Sequence, residues 1–306
     1  MICIETLAFQ DAMDRLASCH ADSGVDDNPQ SMRLFGVSGV GKSFVFKEYC
    51  LRNPPVHGDE VTRLPVVYVK IPSKPTRRSI FRAFLHAVQI QVGPGSADSL
   101  RDRAKFLYTQ CCVEFVCVDE VQHLIDRGQA RTFAAAADAL KEMLDLLMIP
   151  VAYGGAPRAQ ILFTHNNQLR SRVPETLRLY PFDLEGGFAQ LRGFLHELAC
   201  DMSDENRKWL ASSEVATRMF YASDGVHRSI AFMVKRMARL TSDLRTLDYV
   251  TLEEMFARYY WPKVPAVLNP FHKSFAMRRL NRVGEIHEPT YLDGDNHGED
   301  VGYGAI

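Results

Sequence analysis

The sequence lacks a long hydrophobic run. No stretch approaches the roughly 18 uncharged apolar residues of a membrane-spanning helix, so we expect no membrane span. The first residues lack a basic segment and include Glu5, which argues against a signal peptide. Cysteine is sparse, and the 7 cysteines form no CxxC pair. They predict reduced, mostly buried thiols in a cytoplasmic protein.

The chain also has little net charge. Lys plus Arg number 36 and Asp plus Glu number 37, giving a formal net charge of -1. That balance argues against a polybasic protein but is compatible with a local basic patch. Apolar residues make up 46% of the 306 residues, which excludes global disorder and allows about two domains.

Short apolar runs alternate with helical periodicity through the first half of the chain. The runs are MRLFGV (32–37), LPVVYVKI (64–71), CCVEFVCVDE (111–120) and IPVAYGGAP (149–157). Helical periodicity covers 5–18, 79–92, 98–110 and 132–148. Nearly continuous apolar strands separated by helices predict an α/β fold with a parallel sheet covered on both faces.

The strand signal fades from about residue 186. Five stretches then have helical character: 187–201, 203–211, 213–222, 226–241 and 251–260. The pattern predicts an N-terminal helix and linker over 1–31, an α/β nucleotide-binding domain over 32–185 and a smaller helical lid over 186–262. A C-terminal extension over 263–306 ends in an acidic tail, since residues 284–306 contain no Lys or Arg.

Residues 36–43, GVSGVGKS, match the GxxxxGK[ST] pattern between an apolar strand and a helix. The motif consists of Gly36, Val37, Ser38, Gly39, Val40, Gly41, Lys42 and Ser43. Its glycines allow consecutive N–H groups to point at phosphate oxygens. Lys42 would reach the β- and γ-phosphates, and Ser43 would offer a hydroxyl to Mg²⁺. We therefore expect ATP and Mg²⁺ as cofactors.

A pair of carboxylates ends the third apolar run, FVCVDE (115–120). Asp119 is expected to hold Mg²⁺ through water. Glu120 is expected to polarise the attacking water as general base. The pair favours hydrolysis of ATP over phosphoryl transfer to a small molecule.

Three arginines are candidates for contacts with the γ-phosphate. Arg170 and Arg172, in NNQLRSRV (166–173), could reach the nucleotide of a neighbouring subunit as an arginine finger, or could be solvated. Arg228, in SDGVHRSI (223–230), could close onto the nucleotide from the lid or lie on the surface. The fourth strand ends in YGGA (153–156), without the polar side chain that usually senses the γ-phosphate.

Taken together, these motifs resemble those of AAA+ ATPases. Over residues 32–190, MRLFGVSGVGKS, FVCVDEVQHL, the IPVAYGGAP strand and QLRSRV look like the TnsC/TniB family of DNA-transposition ATPases. The resemblance implies a P-loop AAA+ parallel sheet and ATP hydrolysis that switches assembly. It also implies a homo-oligomeric ring or filament on double-stranded DNA, which links a TniQ-type targeting protein to the transposase.

By the same resemblance, the loop after the second strand would face DNA in the oligomer. That loop, SKPTRRS (73–79), contains Lys74, Arg77 and Arg78, and Ser96 is a further candidate. Such contacts would read phosphates rather than bases. The alternative is a solvated helix N-terminus, although cations there oppose the helix dipole. The basic segment 272–282 could form an amphipathic helix that packs on the lid or binds a partner.

Three other functions remain open at this stage. A helicase loader would share ATP, DNA and oligomerisation. A signalling P-loop NTPase would form an oligomer without DNA, and a small-molecule kinase would be a monomer with an acceptor pocket. The acidic tail, with Tyr291 and Tyr303, is either a partner-docking segment or a disordered end.

Overall fold

The structure is a computed structural model that describes residues 3–23, 29–59, 62–89, 92–126, 130–164, 167–240 and 247–289. These residues form two compact units. One comprises Ala8–Val37 and Lys42–Leu179, and the other comprises residues 3–7, Ser38–Gly41 and the described chain from Tyr180 onward. Residues 290–306 of the acidic tail, with both its tyrosines, lie outside the described residues.

The first unit contains a five-stranded parallel sheet. Its strands are β1 (Met32–Phe35), β4 (Val66–Lys70), β5 (Phe115–Asp119), β6 (Val151–Gly155) and β7 (Glu175–Arg178). The strand order is β4-β5-β6-β1-β7, and every pairing is parallel. Strands β5 and β6 are buried along their whole length, as their apolar runs require. The predicted α/β fold class is confirmed.

Two strand elements were not predicted from the sequence. Strand β7 is only four residues long and alternates between half-buried and exposed positions, so it lacks the apolar run of a central strand. It lies at the edge of the sheet beside β1. A short antiparallel hairpin joins β2 (Val56–His57) to β3 (Thr62–Arg63), with both strands largely exposed.

The helices of this unit surround the sheet. They are α1 (Leu7–Ala21), α2 (Lys42–Arg52), α3 (Arg77–Ala87), α4 (Ala97–Gln110), α5 (Ala130–Leu147), α6 (Ile161–Thr164) and α7 (Asn167–Arg172). The core includes Phe81 and Phe84 of α3, Phe163 of α6 and the valines of β4 and β5. Thr76 caps α3 by accepting a hydrogen bond from the Ser79 N–H, so the helix begins at Arg77.

The second unit is helical, as predicted for the chain after residue 186. It contains α8 (Phe188–Leu198), α9 (Asp204–Leu210), α10 (Ser213–Ser223), α11 (His227–Leu240) and α12 (Tyr249–Met255), followed by a π-helical turn at Phe256–Tyr260. The core consists mainly of Leu, Met, Val and Phe side chains from all five helices.

Residues 263–289 pack within this helical unit. Phe271, Phe275 and Leu280 are buried, and Arg279 forms two hydrogen bonds, of 2.7 and 2.6 Å, with the Asp224 carboxylate. The amphipathic helix considered for 272–282 does not form, and the segment consists of turns and irregular backbone. The described part of the predicted C-terminal extension therefore belongs to the same compact unit as the helices.

Over the ranges that the structure describes, none of the helices combines the length and the apolar character needed to cross a bilayer.

Candidate nucleotide-binding site

The GVSGVGKS segment forms the loop between β1 and α2. Its first residue is fixed to the neighbouring strand, because the Gly36 N–H donates a 3.3 Å hydrogen bond to the Gly155 carbonyl. The Lys42 ammonium folds back along the loop and donates to the carbonyls of Gly36, at 2.5 Å, and Val37, at 2.9 Å. The cation therefore lies against the loop, at the N-terminus of α2, where phosphates are favoured.

The tip of this loop requires glycine. Gly39 and Gly41 have φ angles of +87° and +115°, which disfavour residues with a Cβ atom. A Cβ on Gly39 would also lie 2.9 Å from Cγ1 of Val226 and 3.1 Å from Cβ of Arg228. The Arg228 N–H donates a 3.0 Å hydrogen bond to the Gly39 carbonyl, while its side chain is exposed. The loop tip therefore packs on the start of α11, within one unit.

The carboxyl ends of four adjacent strands, β4, β5, β6 and β1, meet at one edge of the sheet. In the β4–β5–β6 pairing, Lys70 is opposite Asp119 and Val118 is opposite Tyr153. On the other side of β6, Phe35 is opposite Gly155. Ligands of open parallel sheets bind at this edge. The topology thus brings the start of the P-loop, the carboxylate pair and the YGGA turn together.

Asp119 is almost fully buried, with 1% of its surface exposed, and both of its oxygens are hydrogen bonded. The Tyr68 hydroxyl donates to Oδ2 at 2.7 Å, and the Glu120 N–H donates to Oδ1 at 2.8 Å. Burial and the nearby Asp119 charge raise the pKa of Tyr68, so its phenol remains a donor. The Ser43 hydroxyl also lies near this phenol.

These contacts show that the residues present fit a magnesium ion. Tyr68 is hydrogen bonded to Asp119 and lies near Ser43, so the two proposed ligands are close to the same phenol. Mg²⁺ usually takes one or two protein ligands and completes its shell with water and substrate phosphates. The described residues contain no group of three or more His, Cys, Asp or Glu that could hold a metal ion.

Glu120 adopts a left-handed backbone conformation, with φ 62° and ψ 34°, at the end of β5. Its Oε2 accepts a hydrogen bond from Nε2 of Gln122, two residues later. The other end of that amide, Oε1, accepts a 3.0 Å hydrogen bond from the Ala156 N–H. The role of Gln122 was not predicted from the sequence, although its position directly after the carboxylate pair, in DEVQHL, is a signal that could have found it.

The structure distinguishes the two arginines of α7. Arg172 donates a hydrogen bond to the Asp145 carboxylate of α5, so its charge is paired within its own subunit. Arg170 is exposed, and the described residues provide no ion-pair partner for it. Within the described part of the chain, Arg170 can therefore contact another molecule without breaking an ion pair, whereas Arg172 cannot.

The residues expected to contact DNA have different surroundings. Lys74 and Arg78 are exposed, with no acidic partner among the described residues. Arg77 is bound by acids: it donates to Glu142 at 3.0 Å and to Asp98 at 2.7 Å. Ser96 caps α4, where its hydroxyl accepts a hydrogen bond from Ser99 N–H at 3.2 Å. Arg77 and Ser96 therefore have partners within the chain, which distinguishes them from Lys74 and Arg78.

The sequence model of one protein family, "TniB: Bacterial TniB protein", matches residues 3–182, more than half of the chain. The matched range includes the P-loop, the carboxylate pair, Gln122 and the arginines of α7. No curated protein sequence matches the chain.

Several solved structures share the fold at low sequence identity. The ORC2 protein of Aeropyrum pernix, in ADPNP–ADP complexes, has a TM-score of 0.60 and 14% identity, over 84% of this chain and 70% of that one. The ORC1 protein of the same organism, in complex with DNA, has a TM-score of 0.59 and 15% identity, over 81% and 64%. Cdc6p of Pyrobaculum aerophilum has a TM-score of 0.52 and 14% identity, over 80% and 64%. This chain spans about two-thirds of their length, and the likeness shows a common AAA+ fold.

Proposed function

Because this chain belongs to the bacterial TniB family and is an AAA+ ATPase, we propose that it assembles on duplex DNA with ATP and regulates DNA transposition. The single observation that carries this proposal is the family match over residues 3–182, which spans the whole carboxyl edge of the sheet. Hydrolysis of ATP then acts as the switch that releases the assembly.

The P-loop is proposed to bind the phosphates of ATP. The N–H groups of the loop that follows Gly36 would donate to phosphate oxygens, and Lys42 would exchange its carbonyl partners for the β- and γ-phosphates. When bound, Mg²⁺ would neutralise charge on the phosphates, held by Ser43 and, through water, by Asp119. Arg228, whose N–H already bonds to the loop tip, is proposed to place its guanidinium on the nucleotide.

Glu120 is proposed as the general base. It takes a proton from water while the water oxygen forms a bond to the γ-phosphorus. The bond between that phosphorus and the bridging oxygen breaks, and the electron pair leaves with ADP. Arg170 of a neighbouring subunit is proposed to stabilise the charge on the transferred group, which would couple hydrolysis to assembly.

The DNA contact is proposed to involve Lys74 and Arg78, whose charges are exposed and unpaired with acids of the described chain. Contacts from two cations to phosphates predict binding without base specificity. Membership of the TniB family also leads us to propose two protein partners. The assembled protein would link a TniQ-type targeting protein to the transposase.

Electron microscopy of the purified protein tests the proposal. We expect rings or filaments around duplex DNA when a non-hydrolysable ATP analogue is present, and none without nucleotide. Lys42→Ala should remove nucleotide binding and assembly together, whereas Glu120→Gln should retain assemblies in ATP. Particles that stay monomeric, or assemble regardless of DNA, would contradict the transposition role and favour a kinase or a signalling scaffold.

A further inference from the structure

We propose that Gln122 is a positioning residue for ATP hydrolysis, which holds the Glu120 carboxylate in place by bridging it to the end of strand β6. The inference rests on the proposed role of Glu120 as general base. It also explains how this chain can lack a polar side chain at Ala156, where the γ-phosphate is usually sensed.

The first support is the bridge itself. The side-chain amide of Gln122 uses both of its ends: Nε2 donates to Oε2 of Glu120, and Oε1 accepts from the Ala156 N–H at 3.0 Å. A carboxylate can only accept and a backbone N–H can only donate, so the bridge needs a side chain with one donor and one acceptor. Glutamine meets this requirement, whereas a hydrocarbon or a carboxylate of similar length does not.

The second support is the rigidity of the residue. Gln122 is 7% exposed, although glutamine is usually found at the surface. A Cβ atom on Gly155 would lie 3.0 Å from its Oε1 and 2.8 Å from Cγ2 of Val121, so the closely packed strand end fixes the amide. The side chain of the next residue makes its hydrogen bond elsewhere, because Nδ1 of His123 donates to the Ile71 carbonyl at 3.0 Å.

The third support is the conformation of Glu120. Its left-handed backbone, with φ 62°, is uncommon for a residue with a side chain and must be held by its surroundings. The Glu120 N–H is bound to Asp119 at 2.8 Å, and the side chain is bound to Gln122. Donation from Gln122 occupies Oε2 and leaves Oε1 to accept the proton of the attacking water.

The bridge also connects the Glu120 carboxylate to the end of β6. Ala156 follows the two glycines that end this strand, and the Gly155 carbonyl accepts the hydrogen bond of the P-loop N–H at Gly36. If nucleotide binding moves this strand end, the Gln122 side chain would transmit the movement to Glu120. Gln122 thus replaces the polar side chain that is missing at Ala156, although it contacts the general base and not the phosphate.

Two substitutions separate the two hydrogen bonds. Gln122→Ala removes both, whereas Gln122→Glu keeps the acceptor for Ala156 but replaces the donor with a carboxylate that repels Glu120. We expect both to lower kcat by about ten- to a hundredfold, the usual effect of removing an outer partner of a catalytic group, with the Kd of a fluorescent ATP analogue changed by less than about threefold. His123→Ala, from the same turn, is the matched control and should keep kcat within about twofold of the parent.

A double-mutant cycle tests whether Gln122 acts through Glu120. In the Glu120→Gln background, Gln122→Ala should have little further effect on residual turnover, because the group that it positions is already lost. Thermal unfolding midpoints show whether each variant folds. If Gln122→Ala does not fold, Gln122→Glu is used to test the inference. A parent-like kcat in both variants, a faster kcat, or an equal loss in His123→Ala would overturn the inference. If Glu120→Gln itself keeps the parent rate, it is the proposed base that fails.

Discussion

The hydroxyl of Tyr68 donates a 2.7 Å hydrogen bond to Oδ2 of Asp119 and lies near the Ser43 hydroxyl. The phenol therefore orients the carboxylate proposed to hold Mg²⁺ through water. Tyr68→Phe removes this restraint while keeping the buried ring. We expect turnover to need about tenfold more Mg²⁺ for half-saturation, as is typical when an outer partner of a metal ligand is removed. A Mg²⁺ titration of ATP turnover measures the change.

The structure offers a matched control for that substitution. Tyr108 is also buried in the α/β unit, and its hydroxyl donates to the Phe84 carbonyl at 3.0 Å, a bond that involves neither Ser43 nor Asp119. Tyr108→Phe should cost about 1 kcal/mol of stability and leave the Mg²⁺ requirement unchanged. An unchanged requirement in Tyr68→Phe would show that the hydroxyl does not orient the metal site.

Sequence patterns predicted the sheet because local chemistry determined it. Strands β1, β4, β5 and β6 are apolar runs followed by turn residues, and the P-loop glycines require backbone conformations that other residues avoid. Strand β7 was missed for the same physical reason, because an edge strand that is half exposed carries no apolar run.

The hydrogen-bond and ion-pair partners of the polar side chains could not be predicted from the sequence. Gln122 and Ala156 are 34 positions apart, Tyr68 and Asp119 are 51 apart, and Arg77 and Glu142 are 65 apart. Such pairs depend on which strands and helices become neighbours, and a sequence pattern reports only local periodicity. Arg77 is an example, since its acidic partners lie on α4 and α5, far from it in the sequence.

The surroundings of the basic loop lead to a salt-dependence prediction. The double variant Lys74→Ala, Arg78→Ala removes two exposed cations. It should weaken binding to duplex DNA and reduce the slope of log K against log salt by about 2, because each phosphate contact contributes about 0.9. Fluorescence anisotropy between about 50 and 200 mM salt measures the slope.

Arg77→Ala is the matched control for that loop. Its ion pairs with Glu142 and Asp98 predict a lower thermal unfolding midpoint with an unchanged salt slope. The assignment of the DNA contact would be wrong if the Arg77 variant lost slope while the double variant kept it.

His227 gives the helical unit a pH-dependent stability. Its ring stacks on Phe182, with 4.2 Å between ring centres, and packs edge-on against Phe194; burial lowers the pKa of His227 to about 4. Above pH 6.5 the ring is neutral in both the folded and unfolded states. As the pH falls from about 6.5 towards about 4, the unfolded chain takes up a proton that the folded unit excludes, so stability is lost by up to about 3 kcal/mol.

Urea unfolding at several pH values tests this linkage. Between pH 7.5 and pH 5 the parent should lose about 2 kcal/mol more than His227→Phe, which keeps an aromatic ring but cannot be protonated. His57, exposed on the β2–β3 hairpin, supplies the control, and His57→Phe should follow the parent. Equal pH dependence in the parent and His227→Phe would place the titrating group elsewhere.

The contrast between Arg170 and Arg172 predicts which of them acts on a neighbouring subunit. Arg172 is paired with Asp145, whereas Arg170 is exposed and has no ion pair among the described residues. Arg170→Ala should therefore lower turnover in the assembled protein by about a thousandfold or more, the usual contribution of an arginine finger. Arg172→Ala should keep turnover and lose only stability.

Mixing two inactive variants distinguishes action in trans from action within one subunit. Glu120→Gln has a disabled site but a complete Arg170, and Arg170→Ala has a complete site but no arginine. If Arg170 acts in trans, mixed assemblies regain activity, because the first variant supplies the arginine to the site of the second. At equal amounts with random assembly, about a quarter of the sites gain both groups, so turnover should approach a quarter of the parent rate. Turnover no higher than the average of the two separate variants would mean that Arg170 serves its own subunit or none.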